Sequence, residues 1–134
     1  MIIKSKKYPK MTCHVIDIGK WVNKERIDYS DEKEFMQVAK HSRPVGRDAP
    51  PHQHIRNVRT IDITQEAWVI VQGKIKAKLY DIDGTLLYET IMEAGNCLIT
   101  FYGGHGFEVL EDVTMFEFKN GPYLGVEKDK VFYV

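Results

Sequence analysis

The sequence is poor in the features that mark several common classes of protein. It has two cysteines, Cys13 and Cys97, which lie far apart and form no C-x-x-C pair. They provide neither a disulfide scaffold nor a thiolate zinc site, so we expect buried free thiols, with a redox role or a bridge as the alternative. The stretch Met1 to Lys10 lacks an apolar segment of signal-peptide length, and no apolar run in the chain is long enough to span a bilayer. These absences predict a soluble, cytoplasmic protein without a membrane partner.

The sequence also lacks an excess of charge of either sign. Lysine and arginine together number 19, and aspartate and glutamate together also number 19. Without a basic field, the chain is not expected to bind nucleic acid. A length of 134 residues with 43% apolar residues is ordinary for one globular domain with a single core.

Helical periodicity is weak almost everywhere. The one candidate for a short helix or turn lies between Trp21 and Glu34, where charged residues are dense. Phe35 to Ala39 is the first clear strand candidate. A loop containing Pro44, Gly46, Pro50 and Pro51 then leads the chain to His52.

The middle of the chain has the pattern of paired strands. Ala67 to Val71 is a continuous apolar run, typical of a strand buried on both faces, and Gly73 is expected to end it. Lys74 to Tyr80 alternates strictly between lysine and apolar residues, which predicts a strand with one face in water. Asp83 and Gly84 then indicate a hairpin, and Thr85 to Met92 is the return strand.

Further short strands follow at close spacing. Cys97 to Thr100 is apolar, Gly103 to Gly106 breaks the ladder, and Phe107 to Val109 resumes it. Thr114 to Lys119 alternates again, with two phenylalanines on one face. Many short strands without intervening helices predict an all-β protein, either an antiparallel sandwich or a barrel.

A pattern of histidines carries the chemical information. His52 and His54 are separated by one residue, so on a strand both imidazoles would face the same side. Glu66 and His105 would reach the same point from other strands. Three neutral imidazoles and one carboxylate suit one divalent transition metal, iron, manganese, nickel or zinc. The pattern therefore predicts a β-barrel with a metal in its mouth.

The spacing of these residues resembles the two motifs of the cupin superfamily. The first motif is represented by Gly46, His52, His54, Glu66 and Gly73, and the second by Gly95, Gly103, Gly104 and His105. The resemblance implies a double-stranded β-helix barrel of jelly-roll type over residues 44–134. Residues 1–43 would form an N-terminal extension that packs on the barrel or on a partner subunit. The resemblance to cupins also implies that His52, His54, Glu66 and His105 hold the metal, with Gln65 as an alternative to Glu66.

Finer motifs resemble a bacterial subgroup of small single-domain cupins. They are Thr64-Gln65-Glu66, Tyr80-Asp81, the run from Gly103 to Glu108, and Gly121-Pro122-Tyr123. The resemblance implies a connection with surface-polysaccharide and sugar-nucleotide biosynthesis. Homodimers are common among cupins, so a homodimer is expected, with the segment Lys10 to Ile18 adding a strand to a neighbouring subunit.

Several residues are candidates for the lining of a pocket around the metal. Trp68 and Ile70 share the face of Glu66 by the period of two, and Tyr102 lies shortly before His105. The alternative is that these side chains simply fill the barrel. Arg59 lies between His54 and Glu66, where it would either clamp an anionic group or remain on the surface. His14 and His41 lie outside both motifs and are expected to be structural or surface residues.

Three functions remain open from the sequence. The first is a cupin metalloprotein that binds a small polar molecule, such as a sugar derivative, and acts as an isomerase, epimerase or dioxygenase. The second is a metal-free sugar-nucleotide ketoisomerase in which histidine and tyrosine side chains move protons between adjacent carbons. The third is a non-catalytic binding or sensor module.

Overall fold

Antiparallel strands make up most of the fold. The computed structural model describes residues 1–19 and 26–133. Within these ranges the elements are β1 (Ile2–Lys4), β2 (Thr12–Asp17), β3 (Arg26–Asp28), β4 (Ala39–His41), β5 (Glu66–Tyr80), β6 (Leu86–Glu93), β7 (Cys97–Thr100), β8 (His105–Lys119) and a short helix α1 (Val126–Asp129). The prediction of an all-β protein is confirmed, and the cupin barrel stays a prediction.

One curled sheet contains six of these strands. Its order is β1-β2-β7-β5-β6, and β8 pairs with β5 along the other edge of β5. The sheet forms a half-barrel, while β3 and β4 pair separately. The N-terminal residues thus supply two strands of the main sheet. Because β2 lies between β1 and β7, it has no edge to add to a neighbouring subunit, and the homodimer stays a prediction.

The long strand β5 is bent near its middle. Its register against β8 shifts at several points between Ile70 and Ile75, and Gly73 lies inside this irregular stretch with a φ of +83°. An inserted residue bends a strand locally. The prediction that Gly73 ends the strand is therefore wrong, since the glycine accommodates a bulge and the strand continues to Tyr80.

Two core clusters lie on opposite faces of the sheet. The larger contains Ile16, Trp68, Ile70, Ile75, Ala77, Leu79, Met92 and Leu98, and the smaller contains Val15, Ala67, Ile99 and Phe101. The predicted alternation in the second half of β5 is confirmed, because its three apolar side chains are fully buried. The hairpin after β5 and its return strand are confirmed as well. Cys13 and Cys97 are free thiols, and burial raises the pKa of both to about 11.

Three local predictions differ from the structure. Phe35 and Met36 lie in a bend, and the strand there begins only at Ala39. In the predicted helix or turn, residues 20–25 lie outside the described residues, and Arg26–Asp28 is a strand. Residues 42–65 contain no strand, so the histidine pair lies in a loop.

Candidate functional site

Glu66 and His105 meet although they belong to opposite ends of the paired strands. Glu66 begins β5, whereas His105 begins β8 and pairs with Leu79 near the end of β5. On a flat strand those two ends would lie roughly 40 Å apart. His105 Nε2 is nevertheless 3.3 Å from Glu66 Oε1. The curl of the sheet therefore builds the site, and this face is the concave one.

A pocket of about 470 Å³ surrounds the pair. The strands contribute Glu66, Trp68, Thr100, His105, Phe107 and Glu117, and the C-terminal segment contributes Asp129 to Tyr133. Trp68 packs edge-on against the rings of both His105 and Phe107, with centroid distances of 4.8 Å and 5.2 Å. The pocket thus combines an aromatic wall with a charged floor.

Glu66 is a buried carboxylate with several donors around it. Its Oε1 accepts a hydrogen bond from Trp68 Nε1 at 2.5 Å and faces His105 Nε2. Its Oε2 lies 3.8 Å from Lys119 Nζ, and Lys119 also binds Glu117 at 2.7 Å. Burial raises the pKa of Glu66, but the hydrogen bond and charge of His105 and the Trp68 bond outweigh it and hold that pKa well below its usual value. Glu66 is therefore ionised at neutral pH.

His105 has one nitrogen engaged and one nitrogen without a partner. An ionised Glu66 only accepts hydrogen bonds, so Nε2 is the donor in their contact. Nδ1 is the one buried side-chain nitrogen or oxygen in the described residues that lacks a hydrogen-bond partner. In the neutral imidazole this nitrogen is then the unprotonated acceptor. Glu66 thus selects the tautomer that leaves a basic nitrogen unused.

The structure brings together two of the four predicted metal ligands. His52 and His54 lie on the exposed loop, with ring centroids 5.5 Å apart, and His52 Nδ1 is 3.1 Å from the Pro50 carbonyl oxygen. The prediction that they lie on a strand is wrong. Within residues 1–19 and 26–133, no three His, Cys, Asp or Glu side chains are grouped to hold a metal ion. Glu66 and His105 supply two ligands, whereas catalytic zinc has three from the protein. The metal site and its four ligands therefore stay a prediction.

The other predicted site residues have different locations. Trp68 lines the pocket, while Ile70 is 1% exposed in the larger core cluster. Tyr102 packs on the opposite face, against the smaller cluster. Arg59 is exposed on the loop.

Gln65, the alternative ligand, is engaged elsewhere. Its side-chain Oε1 accepts a hydrogen bond from the Met36 amide at 2.8 Å, and its Nε2 donates to Glu34 at 2.5 Å. Its backbone amide donates to Asn120 Oδ1 at 2.6 Å. Gln65 therefore joins three segments of the fold.

Two parts of the pocket were not predicted from the sequence. They are the charged residues of β8 and the C-terminal segment Asp129 to Tyr133, which we call the roof. Trp68 faces Glu117 across the ladder, and Glu66 faces Lys119. The alternation of Thr114 to Lys119 was recognised, and it places Glu117 and Lys119 on the face opposite the two phenylalanines. Only the register between β5 and β8 shows that this face meets Glu66.

Comparisons with protein-family models, with curated proteins and with solved structures find no match to this chain. The resemblance to cupins therefore stays a prediction. In the part of the chain that the structure describes, no helix is both long enough and apolar enough to cross a membrane.

Proposed function

We propose that the pocket binds a small polar molecule, a sugar derivative with a carbonyl next to a hydroxyl, and moves a proton on it without a metal. The observation that supports this most is the tautomer of His105, in which Nε2 is held by Glu66 and the buried Nδ1 has no partner. An unsatisfied buried acceptor costs about 1–3 kcal/mol. A ligand that supplies a proton to this nitrogen would recover that free energy, and because the atom is buried, the lining around His105 must move to admit the ligand.

In this proposal His105 is the acid–base group. It takes the proton from the carbon that bears the hydroxyl, and the electron pair left behind forms an enediolate with the neighbouring carbonyl. The proton of the old hydroxyl passes to the former carbonyl oxygen, which becomes a hydroxyl. His105 then returns its proton to the former carbonyl carbon, and the old hydroxyl oxygen becomes the new carbonyl. No oxidant is needed, because the two carbons exchange oxidation states.

Glu66 is a positioning residue in the same scheme. It fixes the tautomer of His105 and stabilises the imidazolium that forms when the ring accepts a proton. Trp68 Nε1 and Lys119 in turn orient the carboxylate. Tyr102 has no role here, because it packs on the other face of the sheet.

The scheme predicts that the protein exchanges a carbon-bound hydrogen with solvent. In D₂O, a panel of keto sugars, free and nucleotide-linked, is followed by proton NMR for deuterium uptake beside the carbonyl. His105→Gln should slow uptake by about 10²-fold or more, whereas His41→Gln, outside the pocket, should not change it. Binding of the panel without any exchange would leave a non-catalytic module and overturn the catalytic scheme.

A measurement without substrate tests the tautomer itself. Nitrogen-15 NMR should show His105 with a protonated Nε2 and a bare Nδ1. Glu66→Leu should remove this preference and give a mixture of tautomers, because the acceptor for Nε2 is lost. A protonated Nδ1 in the wild-type protein would contradict the assignment.

A mononuclear metal site is the second candidate. It is supported by the convergence of Glu66 Oε1 and His105 Nε2, two atoms that would suit one divalent ion, and by the position of His52 and His54 in the loop that leads into β5. A bound metal would polarise a carbonyl or hydroxyl as a Lewis acid. The loop would have to rearrange to bring its imidazoles to the pair.

Elemental analysis distinguishes the two candidates. Protein purified without chelator should contain close to one iron, manganese, nickel or zinc per chain if the four residues are ligands. The double variant His52→Ala with His105→Ala should then lose the metal and stay folded, while His41→Ala keeps it. A double variant with full metal content would exclude this ligand set, and hydrogen exchange that survives complete chelation would favour the metal-free scheme.

A further inference from the structure

The loop before β5 is exposed and carries more arginine than aspartate. All residues from 43 to 63 are exposed, and we call this segment the arginine arm. Its charged side chains are Arg43, Arg47, Asp48, Arg56, Arg59 and Asp62. Among the described residues, neither Arg56 nor Arg59 makes a side-chain hydrogen bond or ion pair. Two guanidinium groups are therefore available near one end of the arm.

The arginine arm is attached at the rim of the pocket. Its last residue, Ile63, and the adjacent Thr64 both line the pocket, and Glu66 follows at the floor. The Thr64 hydroxyl donates to Asp129 in the roof, which fixes the base of the arm. Arg59 lies four residues before Ile63, so its backbone is at most about 14 Å away along the chain. A swing about this base would bring Arg59 over the opening.

Apolar side chains are exposed to water both on the arm and on the concave side of β8. Ile55 is 79% exposed and Val58 is 94% exposed on the arm. On the concave side of β8, Phe107 is 40% exposed and Val109 is 55% exposed. Closing the arm on this surface would remove apolar area from water, which favours the closed position. An element with such an alternative position is suited to respond to a ligand.

The charges of the pocket and of the arm are complementary. The residues that line the pocket include three carboxylates, Glu66, Glu117 and Asp129, and one lysine, Lys130. Lys119 pairs with Glu66 and Glu117, so these five groups together are negative. An anionic group would therefore be repelled by the floor and would need a cationic partner above it. Arginine binds phosphate and carboxylate groups through paired hydrogen bonds.

We propose that Arg56 and Arg59 close over the pocket onto an anionic group of the ligand, a phosphate or a carboxylate. The ligand then has two parts, a hydroxylated part at the Glu66–His105 pair and an anionic part under the arm. This inference rests on the proposed function in that the pocket receives a small polar molecule. It adds the chemical class of that molecule and the segment that recognises it.

Inorganic pyrophosphate and malonate serve as probes of the anionic group. Hydrogen–deuterium exchange of the intact chain is measured by mass spectrometry, with sodium chloride at matched ionic strength as the control. One probe should slow exchange in the arm by at least about fivefold, and titration calorimetry should show binding. Protection by pyrophosphate alone assigns a phosphate, and protection by malonate alone assigns a carboxylate. Equal protection by sodium chloride, or none by either probe, would overturn the inference.

Matched variants locate the effect on the arm. Arg56→Gln with Arg59→Gln should weaken binding of the probe by at least about tenfold. Arg26→Gln removes an exposed arginine on β3, paired with Asp28 at 2.6 Å, and should leave binding unchanged. Equal binding by the arm variant and the wild type would refute the assignment.

The result also separates this inference from the proposed function. Glu66→Gln should not weaken the binding of the probe, because the anion lies under the arm and one repelling charge is removed, but it should impair deuterium uptake by keto sugars. If the wild type promotes deuterium uptake but neither anion binds or protects the arm, the role of the arm is rejected and the proton-transfer scheme stands. Anion binding without uptake would reject the proton-transfer scheme and keep the arm.

Discussion

Replacement of Gly73 by alanine is expected to lower the free energy of unfolding by about 3 kcal/mol or more. A Cβ atom at this position would lie 1.9 Å from the carbonyl oxygen of Asp112 and 2.8 Å from the Cα of Val113. Both atoms belong to the backbone of β8, which cannot turn aside as a side chain does. The φ of +83° adds strain for any residue with a Cβ.

The same change should also disturb the site. The bulge around Gly73 bends β5, and this curl brings Glu66 to His105. If β5 straightens, the contact at 3.3 Å opens and the Glu66 carboxylate no longer fixes the His105 tautomer. Nitrogen-15 NMR of the histidine should therefore change in Gly73→Ala, even at a temperature where the variant is still folded.

Two other glycines provide a graded control. Gly84 has a φ of +83° but only ordinary contacts, with Tyr133 at 3.5 Å, so alanine there should cost about 1 kcal/mol. Gly106 has nothing within 4 Å and no positive φ, so alanine there should be close to neutral. Urea unfolding of the three variants measures the series. A Gly73→Ala protein as stable as Gly106→Ala would show that the bulge does not require glycine.

Gly73 also shows how far the sequence could predict this fold. The strand over Lys74 to Tyr80 and the following hairpin were predicted correctly, because alternation and the Asp83–Gly84 turn are local signals. A glycine shortly after an apolar run has the same appearance whether it ends the strand or forms a bulge in it. The difference is decided by β8, which lies more than thirty residues further along the chain. A non-local pairing of this kind has no signature near Gly73.

The candidate site was also predicted only in part from the sequence. Glu66, Trp68 and His105 were identified from spacing and do come together, because the strand period placed the first two on one face. The His-x-His pair was assigned to a strand from spacing alone, and the structure has it in an exposed loop. The spacing predicts which side chains would share a face if the segment were a strand. The two prolines directly before the pair, however, disfavour a strand at this place.

Replacement of Asp81 by alanine is expected to cost about 3 kcal/mol or more at neutral pH. Asp81 is completely buried after the end of β5. Its carboxylate accepts hydrogen bonds from the backbone amides of Lys6, Lys7 and Ile82 at 2.7, 3.3 and 2.8 Å. Alanine would leave these partly buried donors without their carboxylate partner. The loss should appear in urea unfolding and in faster amide exchange of β1.

The matched control for this change is Asp112→Ala. Asp112 is an exposed aspartate between the two halves of β8, so its removal should change stability by less than about 0.5 kcal/mol. Asp81→Asn should fall between wild type and alanine, because the amide keeps one accepting oxygen. Equal stability of the wild type and Asp81→Ala would mean that the N-terminal segment is not held by this carboxylate.

The stabilisation by Asp81 should also depend on pH in a defined direction. Burial raises the pKa of Asp81, but hydrogen bonds from Ser5 and from the three backbone amides outweigh this and lower it to about 2. In the unfolded chain the pKa is about 3.9. The folded state therefore binds the proton less well, and the stabilisation is complete above about pH 4 and is lost as the pH falls through 2. The gap between wild type and Asp81→Ala should thus be constant from pH 7 to about pH 5 and should narrow steadily below pH 4. A gap that stays the same down to pH 2 would mean that the charge of Asp81 adds nothing beyond the shape of its side chain.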